Sequence, residues 1–303
     1  MQARLFARQP LLLWAFVLPG VVYVLAWRIV PALYTAFLSL HTYNLAYDAG
    51  PRWYGLANYV RLAGDAGLMS SLRVTLVFAA SAVTAELMLG LGAALLFDRN
   101  LPGRHLWLGI FLIPMVLPPV AVATVWYVLL NPFVGPVPHL IRALGGPEIL
   151  WLSGPGTALL SLIVADIWEW TPFMTLLLLA SLQAIPRELV EAAMVDGAAG
   201  LRIFRHITVP HITGMTAVAV GLRFMDAFIE LDKVLIMTGG GPGAATTFVS
   251  VRVFKTAFQF FTLGYAAAIV MVLLLVLALL YSAYLRAVRR ASRLGTGLTE
   301  ETA

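Results

Sequence analysis

Six stretches of predominantly apolar residues, each long enough to cross a lipid bilayer as a helix, recur along this chain at about 11–40, 72–97, 106–130, 157–182, 212–237 and 263–285. About 20 residues of α-helix span the hydrocarbon core of a bilayer. Inside hydrocarbon, every backbone N–H and C=O must be satisfied within a helix or a closed barrel. The alternating strands of about 10 residues that a barrel requires are absent. The pattern therefore predicts an all-α integral membrane protein with six transmembrane helices. Composition agrees, because 61% of residues are hydrophobic and only 12% charged, against about 25% charged in an ordinary soluble domain. Too few charges remain to cover a water-facing surface. A length of 303 residues suits one helical bundle, so 1–303 reads as a single transmembrane domain. The first stretch is longer than a bilayer needs and must tilt, bend near Pro31 or project outward. It lacks a small-x-small cleavage site at the right distance, so it reads as a retained helix rather than a signal peptide.

Orientation follows from the basic residues. With the N-terminus inside, eleven arginines fall in cytoplasmic segments, including Arg4, Arg8, Arg187, Arg202, Arg205 and the tail from Arg286 to Arg293, against five basic residues outside. The positive-inside rule places both termini in the cytoplasm, and the tail run reads as an anchor against anionic lipid. This distribution accounts for the net charge of +5 without nucleic acid as a partner. The absence of cysteine excludes disulfides, thiol nucleophiles and Cys-based metal sites. The only lysines are Lys233 and Lys255, and neither follows a glycine, so no Walker A phosphate loop exists. His206 and His211 are five apart, the wrong spacing for metal ligands on one helix face. No nucleophile–base pair stands out. The chain is expected to be no enzyme and to carry no cofactor or metal.

The most informative segment is the cytoplasmic loop 183–211. It contains Pro186-Arg187-Glu188-Leu189-Val190-Glu191-Ala192-Ala193, then Asp196-Gly197-Ala198, and runs on to Phe204, Ile207 and Pro210. Pro186 sits where a helix can start without losing a hydrogen bond, and Glu188 and Glu191 fall in the first turns, where the helix dipole favours acids. Gly197 permits a sharp turn into a second short helix, which Pro210 is expected to end. The product is a helix-turn-helix with small side chains, between two spans, on which another protein can approach closely.

Glu191-Ala192-Ala193, Asp196-Gly197-Ala198, Phe204, Ile207 and Pro210 together resemble the EAA motif of ABC importer permeases. One departure is Gly214, where the family often has a second proline. Trp53-Tyr54-Gly55-Leu56-Ala57-Asn58-Tyr59, Thr238-Gly239-Gly240-Gly241-Pro242 and Gly264-Tyr265-Ala266-Ala267-Ala268 resemble, in the same order, elements of the carbohydrate branch and of its maltose-permease-like partner. The resemblance implies a MetI-like ABC permease fold. It further implies a loop that couples to a cytoplasmic ABC ATPase dimer through Glu191, Ala192, Ala193, Asp196, Gly197, Ala198 and Pro210. The implied partners are a second homologous permease subunit, an extracellular or periplasmic solute-binding protein and membrane lipid. The implied place is a bacterial or archaeal cytoplasmic membrane, and the implied cargo a sugar, polyol or related solute.

Ionisable residues inside spans form a second candidate site. A charge at the bilayer centre costs about 2.5–3.5 kcal/mol on insertion scales, so such residues face protein or water. Asp166, Trp170 and Phe173 recur at helical spacing in the fourth span, and Arg223, Asp226 and Glu230 in the fifth. Rings that cover C–H faces beside carboxylates that accept hydroxyl protons suit a polyhydroxylated solute, and these six are the candidate substrate path. The alternative is purely structural: Arg223 pairs with Asp226, Glu169 pairs with a neighbouring helix or with the second permease, and Asp232 and Lys233 lie at headgroup level. An ion-coupled secondary transporter is the rival function, since it also needs intramembrane acids, though no internal repeat is visible.

Overall fold

The structure is a computed structural model that describes residues 10–300, with side chains over 14–288. Arg4 and Arg8, and the side chains of Arg289, Arg290 and Arg293, lie outside the described residues. In chain order the elements are α1 (Pro10–Ser39), β1 (His41–Thr42), β2 (Arg52–Trp53), α2 (Ala57–Ala63), α3 (Ala66–Phe97), α4 (Arg104–Val116), α5 (Pro119–Leu129) and α6 (Pro136–Ala143). There follow α7 (Pro155–Gln183), α8 (Arg187–Val195), α9 (Leu201–Ile203), a π-turn (Phe204–Thr208), α10 (Val209–Phe228), α11 (Asp232–Met237), α12 (Val249–Phe254), a second π-turn (Lys255–Gln259) and α13 (Leu263–Glu300). Over the described residues they form two compact units, one of residues 10–65 and 253–276, the other of 66–252 and 277–300.

In the first unit α1 runs unbroken through Pro19 and Pro31. After it, β1 pairs antiparallel with β2, His41 opposite Trp53. Buried Asn58 ties this turn shut by donating from Nδ2 to the carbonyls of Ser39 and His41, each at 2.9 Å, while the Tyr59 hydroxyl meets Ser39 Oγ at 2.7 Å. The aromatic-Gly-Leu-x-Asn-Tyr segment is thus a clasp on the end of α1. Its far side is held by the Tyr265 hydroxyl, which donates to Asp65 at 2.6 Å, with Arg61 4.2 Å above the Tyr265 ring.

The second unit is built on α3 and α7. Gly90 lets them approach closely, because a Cβ there would stand 2.7 Å from Cβ of Met174. Phe78, Leu162, Ala165, Ala219, Val234 and Phe248 form the apolar core around this seam.

Two expected spans prove to be broken. The stretch 106–130 is not one helix: α4 and α5 meet at 94°. Pro118 and Pro119 lack N–H donors and hold the preceding backbone extended, with Leu117 at ψ 142° and Pro118 at ψ 138°. The stretch 212–237 is likewise two helices, α10 and α11, separated at 229–231. Glu230 accepts the Lys233 backbone N–H at 3.1 Å and so caps the restart. Pro210 does not end a helix as expected; it sits in the first turn of α10. The π-turn before it runs straight into α10, with the Val209 N–H bonding back to Phe204 O, so the chain stays helical past a residue that has no donor.

Among the described residues four helices are long and apolar enough to cross a membrane, at Trp14–Ser39, Ala66–Phe97, Pro155–Gln183 and Leu263–Val288, and the bent pair α4–α5 is a fifth where it is taken as one broken span.

Candidate functional site

The hairpin between α7 and α10 is explained by its own backbone. α8 ends in a glycine-terminated Schellman turn: Gly197, at φ 78°, donates to Met194 O at 3.0 Å, and Ala198 to Ala193 O at 2.9 Å. That pairing requires a residue free to adopt positive φ one position past Asp196. The spacing of the Glu-Ala-Ala and Asp-Gly-Ala elements is thus the spacing of a helix stop. No residue of α8 or α9 is buried. Leu189, Met194, Val195 and Leu201 are 45%, 59%, 88% and 78% exposed. Behind the turn lies a hollow of about 310 Å³ lined by Ala193, Asp196, Ala198, Arg202, Ile203, His206 and Ile207.

The intramembrane charges meet in one network. Arg223 donates from Nε and one terminal nitrogen to both oxygens of Glu86, at 2.8 and 2.9 Å. It also reaches Asp166 at 2.9 Å and Asp226 at 2.6 Å. Lys233 Nζ lies 2.8 Å from Asp166, 2.5 Å from Glu169 and 2.9 Å from Glu230. Asp166 bridges the two bases. The network links α3, α7, α10 and α11, and burial of its charges is tolerable only because each has an ionic partner. Trp170 lies over the Arg223 guanidinium, 4.6 Å from ring centroid to carbon, and meets Phe173 edge-on at 6.0 Å.

All six residues expected to line a path therefore lie in one cluster. Asp166 and Arg223 are its buried heart, Trp170 and Phe173 are partly buried, and Asp226 is half-exposed. Two members escaped sequence reasoning. Glu86 was readable as a lone acid in an apolar span. Lys233, expected at headgroup level, is 1% exposed inside the network, because the break at 229–231 lets α11 turn it toward Asp166. Among the described residues no group of three or more His, Cys, Asp or Glu is arranged to hold a metal.

Several long apolar helices, a buried ionic cluster between them and an exposed hairpin joining two of them define a polytopic helical membrane protein. The family described as binding-protein-dependent transport system inner membrane component matches residues 86–293, and the chain belongs to it. It is 37% identical over 262 residues to the trehalose/maltose transport system permease protein MalF of Thermococcus litoralis, covering 86% of this chain and 87% of that one. It is 33% identical to the trehalose transport system permease protein SugA of Mycobacterium tuberculosis, covering 85% and 82%. It shares its fold, at a TM-score of 0.82 and 20% identity over 94% of this chain and 96% of that one, with a chain from the structure of a bacterial alginate ABC transporter in complex with alginate pentasaccharide-bound periplasmic protein. The fold is the MetI-like ABC permease fold, and the chain is a permease subunit of an importer, not an ATPase and not a secondary transporter.

Proposed function

We propose that this chain forms half of the translocation path of an ATP-driven importer for a sugar, polyol or related solute. A second homologous permease supplies the other half, and a binding protein delivers the solute from outside. A cytoplasmic ATPase dimer docks on the loop 183–211 and transmits its closure to α7 and α10. The observation that carries this reading is the set of exposed apolar side chains on the hairpin, Leu189, Met194, Val195 and Leu201. Such a patch at the joint between membrane helices marks a protein contact. Sugar as cargo rests on the names of the relatives. A photocrosslinking residue at Met194 in the assembled complex is expected to capture the ATPase subunit; capture of lipid or of nothing would overturn the docking.

In this reading α10 also crosses the membrane, which brings the crossings to six, and both termini are cytoplasmic. A tag at Gly243 is then expected to be reached from outside sealed cells and a C-terminal tag only after permeabilisation. The reverse labelling would invert the topology.

The cluster would be the solute's contact surface. Trp170→Ala in the reconstituted complex is expected to weaken transport roughly five- to thirtyfold, as loss of a stacking ring of about 1–2 kcal/mol implies. Assembly with the ATPase, and part of the ATP hydrolysis stimulated by the liganded binding protein, should persist. Loss of assembly instead would make Trp170 a packing residue, whose removal costs about 3–5 kcal/mol.

A further inference from the structure

The charge arithmetic of the cluster is unequal, and so is its exposure. Five carboxylates (Glu86, Asp166, Glu169, Asp226, Glu230) face two bases. Arg223 and Lys233 are 2% and 1% exposed, and each is engaged by three carboxylates. The groups that reach the surface are acids: Asp226 is 52% exposed and Glu230 12%. Asp226 stands at the edge of an uncovered stripe of Val218, Leu222 and Met225 on α10, continued by Ile229 just past its end, all of them apolar. A solute passing this surface finds an aromatic ring and carboxylate acceptors, and no cationic donor left free by the cluster. A hydroxyl can donate to Asp226, whereas a fully ionised phosphate or carboxylate has no proton to offer and is repelled by it.

We propose that this wall selects against anions, so that the transported solute is uncharged or cationic and Asp226 is the specificity-determining residue. The proposal rests on the cluster lining the path. Within that reading it removes phosphoesters and sugar acids from the substrate class.

The chain has no cysteine, so Ile229→Cys places one reactive thiol a single helical turn from Asp226 in the assembled complex in membrane vesicles. Its rate of modification is measured with a cationic trimethylammonium thiosulfonate and an anionic sulfonate thiosulfonate, each relative to the same reagent's rate with free mercaptoethanol. Label is read on this chain after separation of the subunits. The expected result is a preference for the cation of roughly sevenfold at low ionic strength, as one carboxylate about 7 Å away in water produces. Adding Asp226→Asn should abolish most of that preference, and adding Asp226→Glu should retain it. Equal rates, faster anion reaction, or a preference unchanged by Asp226→Asn would overturn the selection. If neither reagent reacts while the denatured chain is labelled, the surface is not wetted. The path reading then fails, and the selection with it.

Discussion

Lys233→Met is expected to cost about 3–5 kcal/mol of stability, the usual result of removing one partner from a buried ionic cluster. The methionine fills similar volume, so the loss is electrostatic. Three carboxylates, on Asp166, Glu169 and Glu230, lie within 2.9 Å of the Lys233 ammonium, and without it they repel one another in a largely buried site. The measurement is the thermal stability and assembly yield of the detergent-solubilised complex. Adding Glu169→Gln to Lys233→Met is expected to recover part of the loss, because it removes one of the stranded charges. Such non-additivity is the signature of direct coupling. Two losses that simply add would mean that the ammonium does not hold these helices together.

Gly197→Pro and Glu191→Lys are expected to abolish transport-linked ATP hydrolysis while leaving membrane insertion intact. Gly197 sits at φ 78° and donates to Met194 O. Proline is held near φ −65° and has no N–H, so it cannot make that turn. Glu191→Lys leaves the helix intact and reverses one exposed charge, which separates the contact from the turn. Gly197→Ala is the graded control: its cost of about 1–2 kcal/mol for the left-handed conformation should reduce coupling without removing it. Binding-protein-stimulated ATP hydrolysis in proteoliposomes reads all three. Normal hydrolysis by Gly197→Pro and Glu191→Lys would remove the hairpin from the coupling path.

The hairpin was legible in the sequence because everything that shapes it is local. Its closing bonds, Gly197 to Met194 and Ala198 to Ala193, span three and five residues, so the order of Ala, Asp and Gly specifies the helix stop. The apolar runs were legible for a similar reason, since a helix in lipid satisfies its backbone within the segment. The interruptions were not. The paired prolines at 118 and 119 interrupt an apolar run whose hydropathy continues across them, and the break at 229–231 carries no proline or glycine at all.

The ionic cluster shows where sequence alone stops. The Arg223–Asp226 pair is three residues apart and could be read as a helix contact. Arg223 and Glu86 lie 137 residues apart, Arg223 and Asp166 57, and Lys233 and Glu169 64. Sequence determined that these charges sit in apolar segments and therefore need partners, that the helices exist, and where the hairpin turns. Only the tertiary structure decided which charge meets which, that Lys233 turns inward and that Asp226 stays exposed. Those choices depend on how helices distant in sequence rotate and pack, and close-packing at positions such as Gly90 sets that rotation rather than any hydrogen bond within a few residues.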